Sequence, residues 1–194
     1  MKKVKTLVIG LGNIGLLDDI KKSLNVYTHS KSLFSSKKFN LSAAIDINKK
    51  KRELFSKNYN KPVFKNIEDF KRKKINFDFA IIAVDTKKHL SVFKELSKLK
   101  FKYCLIEKPA GLNKSEFLEI KRIVLKKKMK LFINYIRLYQ KKYSIFKKYL
   151  LKENYAVFYY NRGLMNNGSH LISFCLFNFG KVKNIKIINF SFFF

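Results

Sequence analysis

The fold of this chain is decided by its start, Val4-Lys-Thr-Leu-Val-Ile-Gly10-Leu-Gly12-Asn-Ile-Gly15. The apolar run from Val4 to Ile9 predicts a strand, which leads straight into the spacing G-x-G-x-x-G. In the dinucleotide-binding fingerprint, Gly10 allows the tight turn, Gly12 lets the backbone approach a pyrophosphate, and Gly15 lets the next helix pack close to the strand. The pyrophosphate would lie on the N–H groups at the start of that helix. Three glycines in six residues also occur in plain turns, so the interpretation depends on the rest of the chain.

Strand and helix patterns alternate over the first two thirds of the chain, which predicts a parallel sheet with helices on its faces. The predicted strands are Val4–Ile9, Leu41–Ile45, Val63–Phe64, Phe77–Val84, Tyr103–Ile106 and Leu131–Tyr135. The predicted helices begin within 13–24, after Asn48, after Asn66, near 87 and near 113.

The pattern changes after Tyr135. Segments 138–150 and 167–179 are predicted to be helices, and segments 156–160 and 182–194 to be strands. Such a sequence of elements is the beginning of an α+β module rather than a continuation of the alternating sheet.

The expected fold class is therefore α/β, with two domains. Residues 1–136 are predicted to form a doubly wound, Rossmann-type dinucleotide-binding domain, and residues 137–194 a truncated α+β domain. The chain ends on Phe192-Phe-Phe194, inside a predicted strand. We interpret the chain as the amino-terminal part of a longer protein, and a short strand that pairs within a dimer is the alternative.

The formal net charge of +30 over 194 residues is compatible with nucleic-acid binding. Almost all of the basic residues are lysines, however, and they are spread along the whole chain. Nucleic-acid readers usually carry arginines in a localised patch or arm. We therefore interpret the charge as solvated surface of an AT-biased protein and predict no nucleic-acid partner. The charge would still attract an anionic cofactor or a sugar nucleotide.

Several other classes of protein are excluded by the sequence. No apolar run reaches the roughly 18 residues that a membrane span requires, and no signal-peptide cleavage site follows the first lysines. Cys104 and Cys175 are too far apart to suggest a disulfide framework, and Cys104 lies in an apolar run where a buried thiol is expected. We predict a cytoplasmic protein without membrane contact. No metal site is predicted.

Asp46 follows the second predicted strand, where a dinucleotide fold carries an acid that binds the adenosine ribose. It lies 31 residues after Gly15, more than the roughly 20 of the simple fingerprint. We assign the excess to an insertion in the polar stretch Ser30–Asn40. An acid here would repel a 2′-phosphate, which favours NAD over NADP. The alternative is an exposed strand-end Asp that caps the helix after Asn48.

Two further stretches carry candidate reactive groups. Glu107-Lys108-Pro109 follows a buried strand, and strand ends of an open α/β sheet face the ligand. Asn166 and His170 are four residues apart and would share one helical face, with Gly168 where a bulky side chain would crowd a ligand. His is suited to accept a proton from an alcohol, although a core or capping histidine is the alternative.

Four motifs in this order resemble the glucose–fructose oxidoreductase and inositol dehydrogenase family (Gfo/Idh/MocA), in a branch often found with bacterial surface-sugar genes. Asn134-Tyr-Ile-Arg137 after the sixth strand also fits the resemblance. The four motifs are GLGNIG at 10–15, THSKSLFSSKKFNLSAAIDIN at 28–48, FDFAIIAVDTKKH at 77–89 followed by LIEKP at 105–109, and RGLMNNGSHLISFCLFNFG at 162–180.

The resemblance implies an NAD(P)-dependent oxidoreductase that acts on a hydroxyl of a sugar or sugar nucleotide in surface polysaccharide biosynthesis. Lys108 would bond the reacting hydroxyl, His170 would act as the acid/base, and Asn166 stands where many members carry Asp. The expected cofactor is NAD, with NADP as the alternative. The implied cofactor-binding residues are Gly10, Gly12, Asn13, Ile14, Gly15, Asp46, Thr86, His89 and Glu107.

The chain also departs from the family pattern. Ser173 replaces an Asp three residues after the His, and Asp85-Thr86 replaces the usual small or Pro-containing turn. The resemblance implies that members are longer and that a carboxy-terminal sheet builds their sugar pocket and the interface of their homo-oligomers. Residues 137–194 would then be the partial domain for substrate binding and dimerisation. Most of that sheet is missing from this chain, so we do not expect the same assembly here. An inactive nucleotide-binding fragment of such an enzyme is the alternative function.

Overall fold

Six parallel strands form the centre of the first part of the chain. The structure is a computed structural model that describes residues 2–20, 25–140, 157–161, 163–184 and 186. The sheet order is β3-β2-β1-β4-β5-β6, so the order reverses between β1 and β4, which is the switch point of a doubly wound fold. The strands are β1 (Val4–Ile9), β2 (Phe39–Ile45), β3 (Val63–Phe64), β4 (Phe79–Ile82), β5 (Tyr103–Ile106) and β6 (Lys130–Ile133). The predicted fold class is confirmed.

Helices connect the strands, and their starts follow from local capping chemistry. The side chains of Asn48, Asn66 and Asn113 each accept a hydrogen bond from the backbone N–H three residues later, as preferred N-cap residues do. A 3₁₀ turn, Thr86–Lys88, precedes the fourth helix. The helices are α1 (His29–Phe34), α2 (Lys49–Tyr59), α3 (Ile67–Arg72), α4 (His89–Leu96) and α5 (Lys114–Lys127).

Both faces of the sheet are covered, as successive residues of β1 show. Leu7 and Ile9 lie in one buried apolar cluster and Val8 lies in a second. The first cluster includes Phe93 of α4 and the second includes Phe55 of α2, so these helices cover opposite faces. Consecutive residues are therefore buried on both faces, which explains why Leu7–Ile9 of β1 and the whole of β4 are continuous apolar runs rather than alternating ones.

The segment after the glycines differs from the helix predicted to begin within 13–24. Residues 13–16 form a turn in which the Leu16 N–H donates to the Gly12 carbonyl at 2.8 Å. A single 3₁₀ turn, Leu17–Asp19, follows, and 21–24 lie outside the described residues. Over the described residues, the first turn after the glycines therefore does not continue as a regular helix.

The helix begun at the glycines resumes at α1. The N–H groups of His29 and Ser30 donate to the carbonyls of Ile14 (2.9 Å) and Gly15 (3.2 Å). Donor and acceptor are fifteen residues apart in each pair instead of the four of a continuous helix. Eleven residues, 18–28, are therefore inserted into the first helix of the fold. We call them the excursion.

The excursion also accounts for the position of Asp46. Removing its eleven residues from the 31 that separate Gly15 and Asp46 leaves the roughly 20 that the fingerprint expects. The insertion predicted at Ser30–Asn40 was therefore misplaced, because most of that stretch forms α1 and the start of β2.

Asp19 fixes the carboxy-terminal end of the excursion. Its carboxylate accepts the backbone N–H groups of Tyr27 and Thr28, the latter at 2.6 Å, and lies 3.8 Å from the Lys31 ammonium. Burial of the carboxylate favours its neutral form, but these hydrogen bonds and the Lys31 charge together hold the pKa of Asp19 below its ordinary value.

The second unit comprises residues 135–194, whereas the sequence places the boundary after residue 136. It contains a 3₁₀ turn (Ile136–Tyr139) and a π-helical turn (Leu164–Gly168) that leads into α6 (Ser169–Phe179). The predicted helix 167–179 is thus largely present.

The remaining elements predicted for this unit are either not in strands or lie mostly outside the described residues. Residues 157–160 and 182–184 are not in strands, and most of the predicted helix 138–150 and of the strand 182–194 lies outside the described residues. No helix among the described residues is long and apolar enough to cross a bilayer.

Candidate functional site

The glycine turn is fixed by backbone geometry that a side chain would disrupt. Gly10 has φ +97° and donates its N–H to the Ile45 carbonyl at 2.9 Å. A Cβ atom on Gly10 would lie 2.5 Å from the Ala83 carbonyl oxygen, and one on Gly15 would overlap the Gly10 carbonyl oxygen. These two glycines are therefore required by the ends of three strands that meet here.

The surroundings of Gly12 are open, in contrast. A Cβ atom built on Gly12 meets no protein atom within 4 Å. Within the described part of the chain, the N–H groups of Gly12, Asn13 and Ile14 donate to no protein acceptor. Unpaired N–H groups at the start of a helical turn attract a phosphate group. Both observations fit a pyrophosphate at the positions that the sequence predicts.

Asp46 joins the end of β2 to the glycine turn. One carboxylate oxygen accepts the Leu11 N–H at 2.6 Å, and the other accepts the Asn48 N–H at 2.8 Å. Each oxygen of a carboxylate can accept more than one hydrogen bond, so Asp46 keeps the capacity to accept from ribose hydroxyls. The helix cap proposed as its alternative role belongs to Asn48, whose side chain accepts from Lys51.

Glu107, directly after β5, lies in a side-chain cluster that the sequence did not predict. Its Oε1 is 2.7 Å from the Nε2 of His29 and accepts from the Asn134 amide at 2.6 Å. Burial favours the neutral carboxyl, but the hydrogen bonds from His29 and Asn134, the His29 charge and the Lys108 N–H outweigh it. They lower the pKa of Glu107 below its ordinary value.

His29 is the group that sequence reasoning missed, although it lies inside the Thr-His motif at 28–48. It is 78 residues away from Glu107, so no local spacing joins the two. The available signal was the offset of Asp46, because an insertion placed before His29 makes it part of the first helix.

Lys108 follows Glu107 at the carboxyl end of β5, as predicted, and its side chain is partly buried. Its backbone N–H contributes to lowering the pKa of Glu107, and the Lys108–Pro109 peptide is cis. The predicted cofactor residue Thr86 begins the 3₁₀ turn after β4 and is partly exposed.

His89 differs from its predicted role. The ring is completely buried, with Nδ1 2.9 Å from the Pro109 carbonyl oxygen and Nε2 3.0 Å from that of Val84. A buried ring with both nitrogens at backbone carbonyls has no surface for a cofactor. His89 instead links the turn after β4 to the loop that carries Lys108.

In the second unit, His170 is the second residue of α6 and is 9% exposed. Its ring meets that of Tyr135 edge-on, with centroids 5.9 Å apart, and burial raises the pKa of Tyr135. Gly168 faces protein rather than a ligand, because a Cβ there would lie 3.0 Å from side-chain atoms of Leu164 and Tyr160. Asn166 lies in the π-helical turn before His170.

The sheet order, the glycine turn and Asp46 together are the features of a dinucleotide-binding fold. The sequence profile of the Gfo/Idh/MocA oxidoreductase family, whose description is an NAD-binding Rossmann fold, matches residues 4–135. The chain belongs to this family. NAD is the cofactor that its first unit binds, and the open surroundings of Gly12, the unpaired N–H groups and the Asp46 carboxylate fit this group. A search of curated proteins finds no match.

Solved structures with the same fold include three dehydrogenases or oxidoreductases. An oxidoreductase from Agrobacterium radiobacter, in complex with NAD+, L-tartaric acid and magnesium, has a TM-score of 0.74 at 15% identity, over 97% of this chain and 59% of that one. The WlbA dehydrogenase from Thermus thermophilus, in complex with NAD and α-ketoglutarate, has a TM-score of 0.72 at 16% identity, over 97% and 66%.

The third is scyllo-inositol dehydrogenase from Lactobacillus casei, with bound NAD(H) and scyllo-inositol. Its TM-score is 0.63 at 18% identity, over 78% of this chain. The chain spans 42% of the length of that dehydrogenase. At these identities the likeness concerns the fold.

Proposed function

We propose that the protein is an NAD-dependent oxidoreductase that acts on a hydroxyl of a sugar or sugar nucleotide. The observation that carries the proposal is the position of Lys108, which directly follows β5 in a sheet whose switch point carries the glycine turn and Asp46. In doubly wound sheets, ligands bind at the carboxyl ends of the strands near the switch point. A cationic donor there suits the oxygen of a hydroxyl substrate.

We assign three residues to the chemistry. Lys108 binds and orients the substrate hydroxyl, and His170 holds the proton that leaves this hydroxyl. Asn166, four residues before His170, binds a neighbouring substrate hydroxyl. When bound, NAD supplies the hydride acceptor.

The proposed substrate class is supported by a structural relative and by the net charge of the chain. One relative of the same fold was crystallised with scyllo-inositol, a polyol. A net charge of +30 favours an anionic substrate such as a sugar nucleotide over a neutral sugar. The resemblance to the surface-sugar branch supports a cytoplasmic role in surface polysaccharide biosynthesis.

The decisive experiment combines NADH binding with turnover. The full chain is titrated with NADH by fluorescence and then assayed for NADH formation on a panel of sugar nucleotides and free sugars. We expect Lys108→Ala and His170→Ala each to lower kcat by about 10²- to 10⁴-fold, since general acid–base and positioning groups contribute that much. Lys114→Ala removes an exposed lysine from the start of α5 and is the matched control, with unchanged kcat.

A second candidate is a nucleotide-binding protein without turnover. The observation that favours it is coverage, because the chain spans only 42% of the inositol dehydrogenase that it resembles in fold. NADH binding without turnover on any member of the panel would support this candidate. Wild-type turnover by both the Lys108→Ala and the His170→Ala variants would refute the catalytic roles given above.

A further inference from the structure

One carboxylate oxygen of Glu107 is within hydrogen-bond distance of two side chains from distant parts of the chain. Oε1 of Glu107 lies 2.7 Å from Nε2 of His29 and 2.6 Å from the amide nitrogen of Asn134. A carboxylate that is ionised only accepts hydrogen bonds. Because the pKa of Glu107 is below its ordinary value, this carboxylate is ionised near neutral pH. The Nε2 atom of His29 therefore carries a hydrogen and donates a hydrogen bond to Oε1 of Glu107. Hydrogen bonds of this charge-assisted kind are the stronger ones in proteins.

Each member of this cluster is tied to a different element by its own backbone. The His29 N–H donates to the Ile14 carbonyl in the glycine turn at 2.9 Å. The Glu107 N–H donates to Ile82 at the end of β4 at 3.0 Å, and the Asn134 N–H donates to Ile106 at the end of β5 at 2.9 Å. The cluster thus joins the glycine turn to the ends of β5 and β6, across the switch point between β1 and β4.

The same carboxylate also determines the backbone from which Lys108 projects. Lys108 directly follows Glu107, and its backbone N–H helps to stabilise the Glu107 carboxylate, so a displacement of that carboxylate changes the surroundings of the peptide between the two residues. His29 and Glu107 are each 15% exposed at the side chain, which leaves little room for water to replace either partner. The His29 contact is therefore the connection through which the first helix constrains the Glu107–Lys108 peptide.

We propose that His29 is a positioning residue of the cofactor and reaction site, which acts by holding the Glu107 carboxylate and through it the Lys108 backbone. Resting on the proposed function, this assigns a role at the site to the Thr-His motif. It also gives the excursion a structural consequence, because His29, the first residue after it, resumes the hydrogen bonding of the first helix and contacts Glu107.

The test uses NADH affinity of the full chain, measured by fluorescence titration, and kcat on the best substrate of the panel. We expect His29→Ala to weaken NADH binding and to lower kcat, each by about tenfold, because small displacements of positioning groups have effects of this order or larger. His29→Gln keeps a side-chain N–H donor and is expected to restore both values to within about twofold. Ser32→Ala changes an exposed side chain of the same helix and is the control.

A double-mutant cycle separates positioning from loss of helix stability. In a Glu107→Gln background the carboxylate is absent, so His29→Ala should cause little additional loss of NADH affinity. Asn134→Ala probes the same oxygen from the other side and should weaken NADH binding in the same direction. Circular dichroism of each variant identifies any that fail to fold. If His29→Ala does not fold, the NADH affinity of His29→Gln is compared with that of the wild type instead.

Three results would overturn the proposal. They are wild-type NADH affinity of a folded His29→Ala variant, failure of His29→Gln to restore affinity in a folded protein, and full additivity in the Glu107→Gln background. Binding without turnover would contradict only the proposed reaction, because the His29 comparison is then made on NADH affinity. A wild-type chain that binds no NADH would contradict both.

Discussion

The two sides of the sheet's carboxyl edge are constructed differently. On the glycine side, which comprises residues 10–15 and Asp46, most hydrogen bonds join backbone N–H groups to backbone carbonyls, and the Asp46 carboxylate accepts two further backbone N–H groups. On the Glu107 side, which comprises His29, Glu107, Lys108 and Asn134, side chains make the decisive contacts. We therefore expect substitutions of the glycines to act through added atoms, whereas those of Asp46 and of the Glu107 side act through lost hydrogen bonds.

The largest effect is expected from adding one methyl group to the glycine side. In Gly10→Ala, the new Cβ would lie 2.5 Å from the Ala83 carbonyl oxygen at a φ of +97°. Overpacking costs roughly 1–3 kcal/mol, and a left-handed residue other than glycine adds about 1–2 kcal/mol. We expect thermal unfolding to show a Tm lower by roughly 10 °C.

Gly12→Ala is the matched control, because its Cβ meets no protein atom within 4 Å. Its Tm should stay within about 2 °C of wild type, while NADH affinity falls by about tenfold or more, since the methyl group occupies the space through which a pyrophosphate approaches. Equal Tm losses in Gly10→Ala and Gly12→Ala would contradict this division of roles.

A smaller effect is expected from Asp46→Asn, which changes the side chain that binds the backbone of the glycine turn. Both carboxylate oxygens accept a backbone N–H, from Leu11 and Asn48. An Asn side chain has one acceptor oxygen, so one N–H faces another donor, at a cost of roughly 1–3 kcal/mol. Urea unfolding should show this loss, and NADH titration a weaker affinity.

Asp85→Asn provides the control for that substitution. Asp85 is exposed, and one of its oxygens accepts the Lys87 N–H at 2.9 Å. Asn caps such turns as well as Asp does, so stability and NADH affinity should remain unchanged. An Asp46→Asn protein as stable as Asp85→Asn would show that the two N–H contacts are dispensable.

The Glu107 side is tested by the pH dependence of the free energy of unfolding. The pKa of Glu107 is below its ordinary value of 4.5 in the folded protein, so the ionised group stabilises the fold above that value. This stabilisation is lost as the pH falls from 4.5 through the lower folded pKa. Glu107→Gln should lower the free energy of unfolding by about 1–2 kcal/mol near neutral pH, and the difference from wild type should shrink below about pH 4.5.

Urea unfolding of both proteins across this pH range measures the difference directly. Asp19 also has a lowered pKa, but it is present in both proteins, so its contribution cancels in the comparison. A difference that grows as the pH falls would mean that burial, rather than the hydrogen bonds from His29 and Asn134, dominates at Glu107.

The same division separates what the sequence could predict from what it could not. The strands and the Asn caps at 48 and 66 depend on local patterns, namely apolar runs and an amide followed by a helix, and the structure contains them. The glycine turn and the acid after β2 could also be predicted, because the dinucleotide-binding fingerprint specifies both. Only Asp46 was offset, and its identity was still evident from its position after β2.

The Glu107 side depends on contacts across long stretches of sequence. The pair His29–Glu107 is 78 residues apart, and the hydrogen bonds that return the chain to the first helix span fifteen. No periodicity reveals such contacts, which is why the insertion was assigned to Ser30–Asn40. His89 was assigned to the cofactor for a related reason, since a position near a strand end does not reveal whether a ring is exposed or buried.

The smallest expected effect distinguishes the backbone of the glycine side from its side chains. The side chain of Asn48 caps α2, because its Oδ1 accepts the backbone N–H of Lys51 at 3.1 Å. The backbone N–H of Asn48 donates to the Asp46 carboxylate. Asn48→Ala removes the cap and should cost about 1 kcal/mol in urea unfolding. Because the backbone N–H to Asp46 remains, NADH affinity should stay within about twofold of wild type.

Asn113→Ala is the matched cap at α5, which no contact joins to the glycine side among the described residues. Its side chain accepts the Glu116 N–H at 3.0 Å, while the Glu116 carboxylate accepts the Leu112 N–H at 2.8 Å. Removing this cap should also lower the free energy of unfolding by about 1 kcal/mol, again without a change in NADH affinity. If Asn48→Ala alone weakened NADH binding as Asp46→Asn does, the side chain of Asn48 would hold Asp46 in place. The glycine side would then depend on side chains as the Glu107 side does.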